Sequence, residues 1–270
     1  MRNRLVLLLL VLSALPLACG GGELSPEAAV AEAATKTEDA GSARVTFTGT
    51  LTGVPGGSFT ISGEGEFAKQ RGRMTFDLAD AGVPGGSMEM IFDELVIYMK
   101  FPPELAAELP GGKSWVKMDL EELGKQQGID FGELMQFSQS DPTQSLQYLR
   151  GASDDFEKVG DEDVRGVETT HYRGTIDLRK AAEALPESAR KSLDRVIELT
   201  GASKLPFDVW IDDEGLARRV KYDQPLPASG GQETSMALTM DFFDFGVAVD
   251  VEPPPESEVI DIQELIAGGS

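Results

Sequence analysis

The chain has one cysteine and one histidine in 270 residues. A single cysteine, Cys19, excludes an intrachain disulfide and any zinc or redox site built on paired cysteines. A single histidine, His171, excludes the histidine clusters that hold many catalytic metals. Its place between Thr170 and Tyr172 in an alternating run fits a strand side chain turned to solvent or satisfied by a neighbour better than a general base. Basic residues are also scarce, with 24 Lys and Arg against 46 Asp and Glu and a net charge of −22. A field of that sign repels phosphate backbones and anionic headgroups, so nucleic acid is not an expected partner. No long apolar run follows residue 18, so no later segment is expected to cross a membrane as a helix.

The apolar run that does exist lies at the start. Arg2 and Arg4 precede the stretch from Leu5 to Ala18, and Cys19 follows directly. A basic start, about a dozen apolar residues and a small residue before a cysteine predict a lipoprotein signal over 1–18, with diacylglyceryl transfer to the Cys19 sulfur. The run is shorter than the roughly 20 residues of a spanning helix. Pro16 and Leu17 depart from the usual residues before a lipidated cysteine, and an ordinary secretory signal is the other reading. Gly20-Gly21-Gly22 supports the first, since residues 19–25 then form a flexible tether. The expected location is extracytoplasmic, at the outer face of the cell membrane through lipidated Cys19.

About 250 residues remain after such a cleavage, enough for one large or two small domains. Ser25-Pro26-Glu27 reads as a helix start, with a helix through Asp39 and a stop at Gly41. Period-two runs then mark strands at 45–51, 59–67, 74–78, 88–93, 95–100 and 115–119. Helical segments are expected at 102–109, 120–127, 131–139 and 141–150. Strands return at 156–164 and 169–177, followed by a helix over 179–200 broken at Pro186. Strands over 207–212, 216–223 and 235–242 complete the set. The hexapeptide Gly-Val-Pro-Gly-Gly-Ser occurs at 53–58 and 82–87, each copy between two strand runs, which suggests two hairpin turns on one edge. The Pro-rich end, 248–270, is expected to be a loosely attached tail. Together these runs predict an α+β fold in one domain over 26–247, with about 11 antiparallel strands in a sheet that curls under helices on its concave side.

Catalytic signatures are missing. There is no Gly-x-Ser-x-Gly, and Ser188-Ala-Arg-Lys191 lacks the companion motifs of the Ser-x-x-Lys enzymes. Asp212-Asp213-Glu214-Gly215 and Asp161-Glu162-Asp163 lack the alternating acids of a calcium loop and read as turns. Trp115 and Trp210 read as packing residues, or as side chains at a cavity mouth. No catalytic residue, metal or cofactor is assigned.

The segments Gly166-Val-Glu-Thr-Thr-His-Tyr-Arg-Gly-Thr-Ile-Asp-Leu178 and Leu205-Pro-Phe-Asp-Val-Trp-Ile-Asp-Asp-Glu-Gly-Leu-Ala-Arg-Arg-Val-Lys-Tyr222 resemble the actinobacterial LppX/LprAFG lipoproteins. With the first helix and the order of elements, the likeness spans most of 26–247. The resemblance implies a strongly bent antiparallel half-barrel, similar in shape to the LolA/LolB carriers, whose helices and sheet enclose an apolar cavity for acyl chains. It implies lipid or lipoglycan acyl chains as partners, carried within the cell envelope by a monomer held to the membrane. Phe47, Phe59, Met74, Phe76, Met88, Met90, Phe92, Met236, Leu238, Met240 and Phe242 fall in phase along the strand runs and are the cavity candidates. Alternation alone equally fits a solid core, and the rival reading is an envelope interaction or sensor lipoprotein filled by its own side chains.

Overall fold

The computed structural model describes residues 24–54, 57–68, 70–80, 82–83, 86–133, 155–183, 185–229 and 232–268. The expected signal peptide, Cys19, the centres of both hexapeptide turns, the helix expected over 141–150 and all but the first three residues of the one expected over 131–139 lie outside the described residues.

Helix α1 (Pro26–Asp39) begins as its sequence dictates. The Ser25 hydroxyl accepts the Ala28 N–H at 3.3 Å, Pro26 takes the first turn, and Gly41 at φ 78° lets the chain leave. The order continues β1 (Ser42–Val54), β2 (Gly57–Ala68), β3 (Arg71–Asp77), β4 (Ser87–Asp93), β5 (Val96–Lys100), α2 (Pro103–Ala106), β6 (Trp115–Asp119) and α3 (Leu120–Gln127). The second half contributes β7 (Glu157–Val164), β8 (Val167–Asp177), α4 (Leu178–Glu183), α5 (Glu187–Thr200), β9 (Lys204–Asp212), β10 (Ala217–Ser229), β11 (Gln232–Phe243), β12 (Val259–Asp261) and α6 (Ile262–Gly268). All twelve strands form one sheet in the order β12-β6-β5-β4-β3-β2-β1-β11-β10-β9-β8-β7. Short turns enforce antiparallel pairing; Arg165 and Gly166, at φ 55° and 83°, make the tight β7–β8 turn.

The twelfth strand is the main departure from the sequence expectation. Residues 248–268 are tied down: β12 pairs with β6 in parallel and makes the sheet mixed. Val249, Val251 and Val259 cover Ile91, Trp115 and Tyr98. Ser114 donates its N–H to the Glu258 carbonyl at 3.1 Å, and Lys113 Nζ donates to the Ser257 carbonyl at 2.7 Å. A three-residue strand next to a proline run has no period to read, and only the apolar patch that it covers explains its course.

The sheet is curved and unclosed. The helices show why it must bend. Strands β6 and β9 stand eight positions apart, about 40 Å in a flat sheet at ~4.8 Å per strand. Yet the segment after α3 meets α5, which leads into β9: the Asp130 N–H donates to Ser192 Oγ at 3.0 Å, and Arg195 Nε donates to the Gln127 carbonyl at 3.1 Å. Helices of 8 and 14 residues span only about 12 and 21 Å along their axes. The two flanks therefore fold towards each other, as in a half-barrel.

Strand glycines make room for that bend. A Cβ at Gly63 would stand 2.5 Å from the Phe47 ring and against the Thr75 carbonyl. Gly72 lies under the Phe67 ring and Gly174 under the Phe156 ring in the same way. Aromatic rings lying flat over strand glycines let a sheet curve tightly without leaving voids.

Candidate functional site

Register carries the side chains of alternate residues onto one face. Phe47 stands opposite Met240 on one side and Gly63 on the other; Gly63 stands opposite Phe76, and Phe76 opposite Met88. The next row runs Phe242, Val45, Gly65, Met74, Met90 and Met99. Further rows place Leu238 beside Gly49, and Met236 beside Leu51 and Phe59. Phe92 pairs with Gly72, next to Phe67. All eleven sequence-selected residues thus share one face. It is the inner face, because α1 packs on it: Val30 and Ala33 meet Val209, Ile211 and Ala217, and Val209 pairs with Val220, opposite Met240.

Of these eleven, Phe47 and Met74 are buried, at 5% and 9% exposure, and the other nine are half-buried. A groove of about 730 Å³ opens on this face where α1 ends. Ala34, Thr37, Glu38 and Asp39 of the helix form one wall, and Ala43, Phe67 and Phe242 of the sheet form the other. Only Phe242 among the groove residues was selected from sequence. Phe67 is in phase with Phe59 and Ile61 and was legible by that rule. The α1 wall was not, because helix docking is a tertiary fact. The inner-face Tyr222 phenol is pushed up from its ordinary pKa by burial, as expected in apolar surroundings.

Away from the apolar patch of Ile91, Tyr98 and Trp115 under the C-terminal segment, the outer face carries ion pairs. Cross-strand pairs join Arg71 to Asp93 at 2.8 Å and Arg219 to Asp241 at 2.5 and 2.7 Å. His171, 3% exposed, lies here. Its ring stacks on Trp210 at 4.1 Å, with Nδ1 3.2 Å from Glu162 and Nε2 2.6 Å from Asp208. Both ring nitrogens are engaged, so neither is placed for proton transfer to a bound molecule. Trp210 donates its indole N–H to Glu162 at 2.9 Å, and Trp115 lies under the C-terminal segment. Neither tryptophan sits at the inner groove.

The Trp210 N–H, and after it the His171 ring, hold the Glu162 carboxyl below the usual carboxylate range. A folded-state pKa that is depressed adds stability above the unfolded value, and this is lost as pH falls through the folded one. Glu162→Gln is therefore expected to flatten the acid limb of a melting-temperature profile recorded between pH 5 and 3. An unchanged limb would show that this contact is energetically silent.

The other sequence motifs have structural partners. The Asp212 carboxyl accepts the Leu216 N–H at 2.8 Å and pairs with Arg218 at 2.5 Å, which closes the β9–β10 turn. Ser188 donates to Glu133, and Lys191 pairs with Glu187 at 2.7 Å, so each of the Ser-x-x-Lys residues has an acidic partner of its own. Among the described residues no three His, Cys, Asp or Glu side chains converge as a metal would need. No described helix is long and apolar enough to cross a membrane.

No protein-family model matches the chain. It is 30% identical over 258 residues to an uncharacterized 31.2 kDa protein from the rplA–rplJ intergenic region of Streptomyces griseus, covering 91% of this chain and 82% of that protein. It is 32% identical over 164 residues to a Streptomyces coelicolor protein named as a lipoprotein; the match covers 60% of this chain and about half, 47%, of that protein. Similar solved structures include LprF of Mycobacterium bovis, with TM-score 0.43 and 15% identity over 85% of this chain and 96% of that one. LppX of Mycobacterium tuberculosis matches with TM-score 0.43 and 18% identity over 84% and 100%. Both names fall within the group that residues 166–178 and 205–222 resemble.

Proposed function

The chain belongs to the family of the 31.2 kDa Streptomyces griseus protein, and we propose that it binds the acyl chains of lipids or lipoglycans on its inner face and carries them within the cell envelope. The observation that carries this reading is the inner face itself. Eleven Phe, Met and Leu side chains share it, nine of them half-buried, next to a groove of about 730 Å³. Methionine suits such a lining, because an unbranched, polarizable side chain adapts to chains that vary and slide. Affinity would come from apolar burial, at about 25 cal/mol per Å². Headgroups would stay at the groove mouth, and no covalent step is involved. Cys19, acylated after removal of 1–18, would hold a monomer at the outer face of the membrane from which it loads.

Ala43 is half-buried in the groove wall, opposite Phe67. Ala43→Trp is expected to lower uptake of a pyrene-labelled diacylglycerol roughly tenfold, the scale of about 1.4 kcal/mol, while the melting temperature stays within a few degrees. Lipid extracts of the purified protein, read by mass spectrometry, should contain acyl lipids. Clean extracts together with no uptake by the unmodified protein would favour the solid-core reading.

A further inference from the structure

Every methionine among the described residues lies on the inner face. Met74, Met88, Met90 and Met240 are there by the register already given, and Met236 precedes Met240 by four residues on the same strand. Met99 stands opposite Met90, and Met118 stands opposite Ile97, which pairs with Phe92. The outer face has none among the described residues. All seven sit in strands, although methionine is a helix former and strands favour β-branched and aromatic residues, so local propensity does not place them. Met74 is buried, and the other six are half-buried, with part of their surface open to solvent. Met90 has Met74 and Met99 as direct neighbours on the adjoining strands, at Cα spacings of about 5 Å. The chain holds one cysteine, and the anchor would occupy its sulfur. Sulfur that can be oxidised reversibly is thus concentrated on the face that acyl chains would touch.

We propose that these methionines make the lining redox-responsive: hydrogen peroxide oxidises them to sulfoxides, and the oxidised face releases its acyl chains. The inference rests on the reading that acyl chains occupy this face. In each step the peroxide O–O bond breaks and one oxygen forms an S–O bond. The sulfur gives up two electrons, and the other oxygen leaves as water with both protons. The side chain keeps its length but becomes polar, so the surface changes while the strand pairing stays. A sulfoxide oxygen accepts hydrogen bonds from water. An acyl chain laid over it strips that water and offers no donor in return. Half-buried thioethers react before buried Met74, so the packing of Met74 over Gly65 is kept while the lining turns polar. Methionine sulfoxide reductases reverse the step: two thiols supply two electrons, the oxygen leaves as water, and the apolar lining returns.

The test treats the Cys19→Ser chain with hydrogen peroxide and reads it by peptide mass spectrometry, lipid binding and thermal melts. One added oxygen is expected on each of the six half-buried methionines before Met74 reacts. Affinity for pyrene-labelled diacylglycerol should then fall about tenfold, and return to within about twofold after both epimer-specific reductases have acted. The oxidised chain should still melt cooperatively. Replacing the methionines at 88, 90, 99, 118, 236 and 240 by leucine, which nearly conserves volume, should leave binding as it is and abolish the response to peroxide. Two smaller variants guard against a folding defect: Met88→Leu with Met90→Leu and Met99→Leu, and Met236→Leu with Met240→Leu. Each should lose part of the response. Full affinity in a chain with all six oxidised overturns the switch. So does an equal loss in the leucine variants, or a loss that comes only with unfolding. If the unoxidised chain takes up no lipid, it is the acyl-binding reading that has failed, and the switch falls with it.

Discussion

Gly63→Val is expected to lower stability by about 3 kcal/mol, at the upper end of what overpacking usually costs, and the melting temperature by roughly 10 °C. The Phe47 ring lies where the new Cβ must go, and on the other side that atom meets the Thr75 carbonyl, which belongs to the β2–β3 ladder and cannot turn away. Phe47 cannot yield cheaply, since it is buried and packed on Phe76 with ring centroids 4.7 Å apart. Gly49→Ala provides the contrast. A Cβ there meets Leu238 Cδ1 at 3.7 Å and the Ile61 carbonyl at 3.9 Å, both ordinary contacts, and the loss of glycine freedom in the unfolded chain makes a change within about 0.5 kcal/mol the expected result. Thermal melts of the two variants decide the matter. Equal effects would mean that the β2 glycine is a generic strand glycine and not a seat for the aromatic ring that the bend requires.

The contrast also shows which part of the fold could be read from the residues. Alternation from Val45 to Leu51, 59 to 67 and 235 to 242 was legible because each strand is apolar on one face only, and period two survives whatever the strand pairs with. Pairing register was not legible, yet the hydrophobic phase fixed it in advance, because a slip of one residue would put Phe47 or Met240 on the polar face. That is why eleven residues chosen by phase within separate strands arrive on one surface. The features that escaped depend on contacts between distant segments: the α1 wall of the groove, strand β12, and the stacking of His171 on Trp210 between two carboxylates. His171 illustrates the limit. Its strand position and satisfied state could be anticipated, but its partners Glu162 and Asp208 come from β7 and β9, and nothing local to residue 171 announces them.

Cys19→Ser is expected to move the protein from washed membranes to the soluble fraction almost completely, while uptake of pyrene-labelled diacylglycerol stays within about twofold. The first effect is large because nothing else on the described surface would replace the anchor. Two long acyl chains contribute on the order of 20 kcal/mol, at about 0.8 kcal/mol per buried methylene. The net charge of −22 offers no attraction to anionic headgroups in compensation. Large exposed apolar side chains among the described residues number four, Leu24, Val159, Leu199 and Ile266. The second effect is small because the groove residues lie at 34–43, 67 and 242, all downstream of the tether, and α1 is held to the sheet by its own contacts at Thr37 and Lys36. Fractionation and uptake therefore report on two independent parts of the chain. Retention of the variant on membranes would reveal a second membrane-binding surface. Loss of uptake together with the anchor would mean that residues before Leu24 belong to the binding site, and the groove would then have to be redrawn to include them.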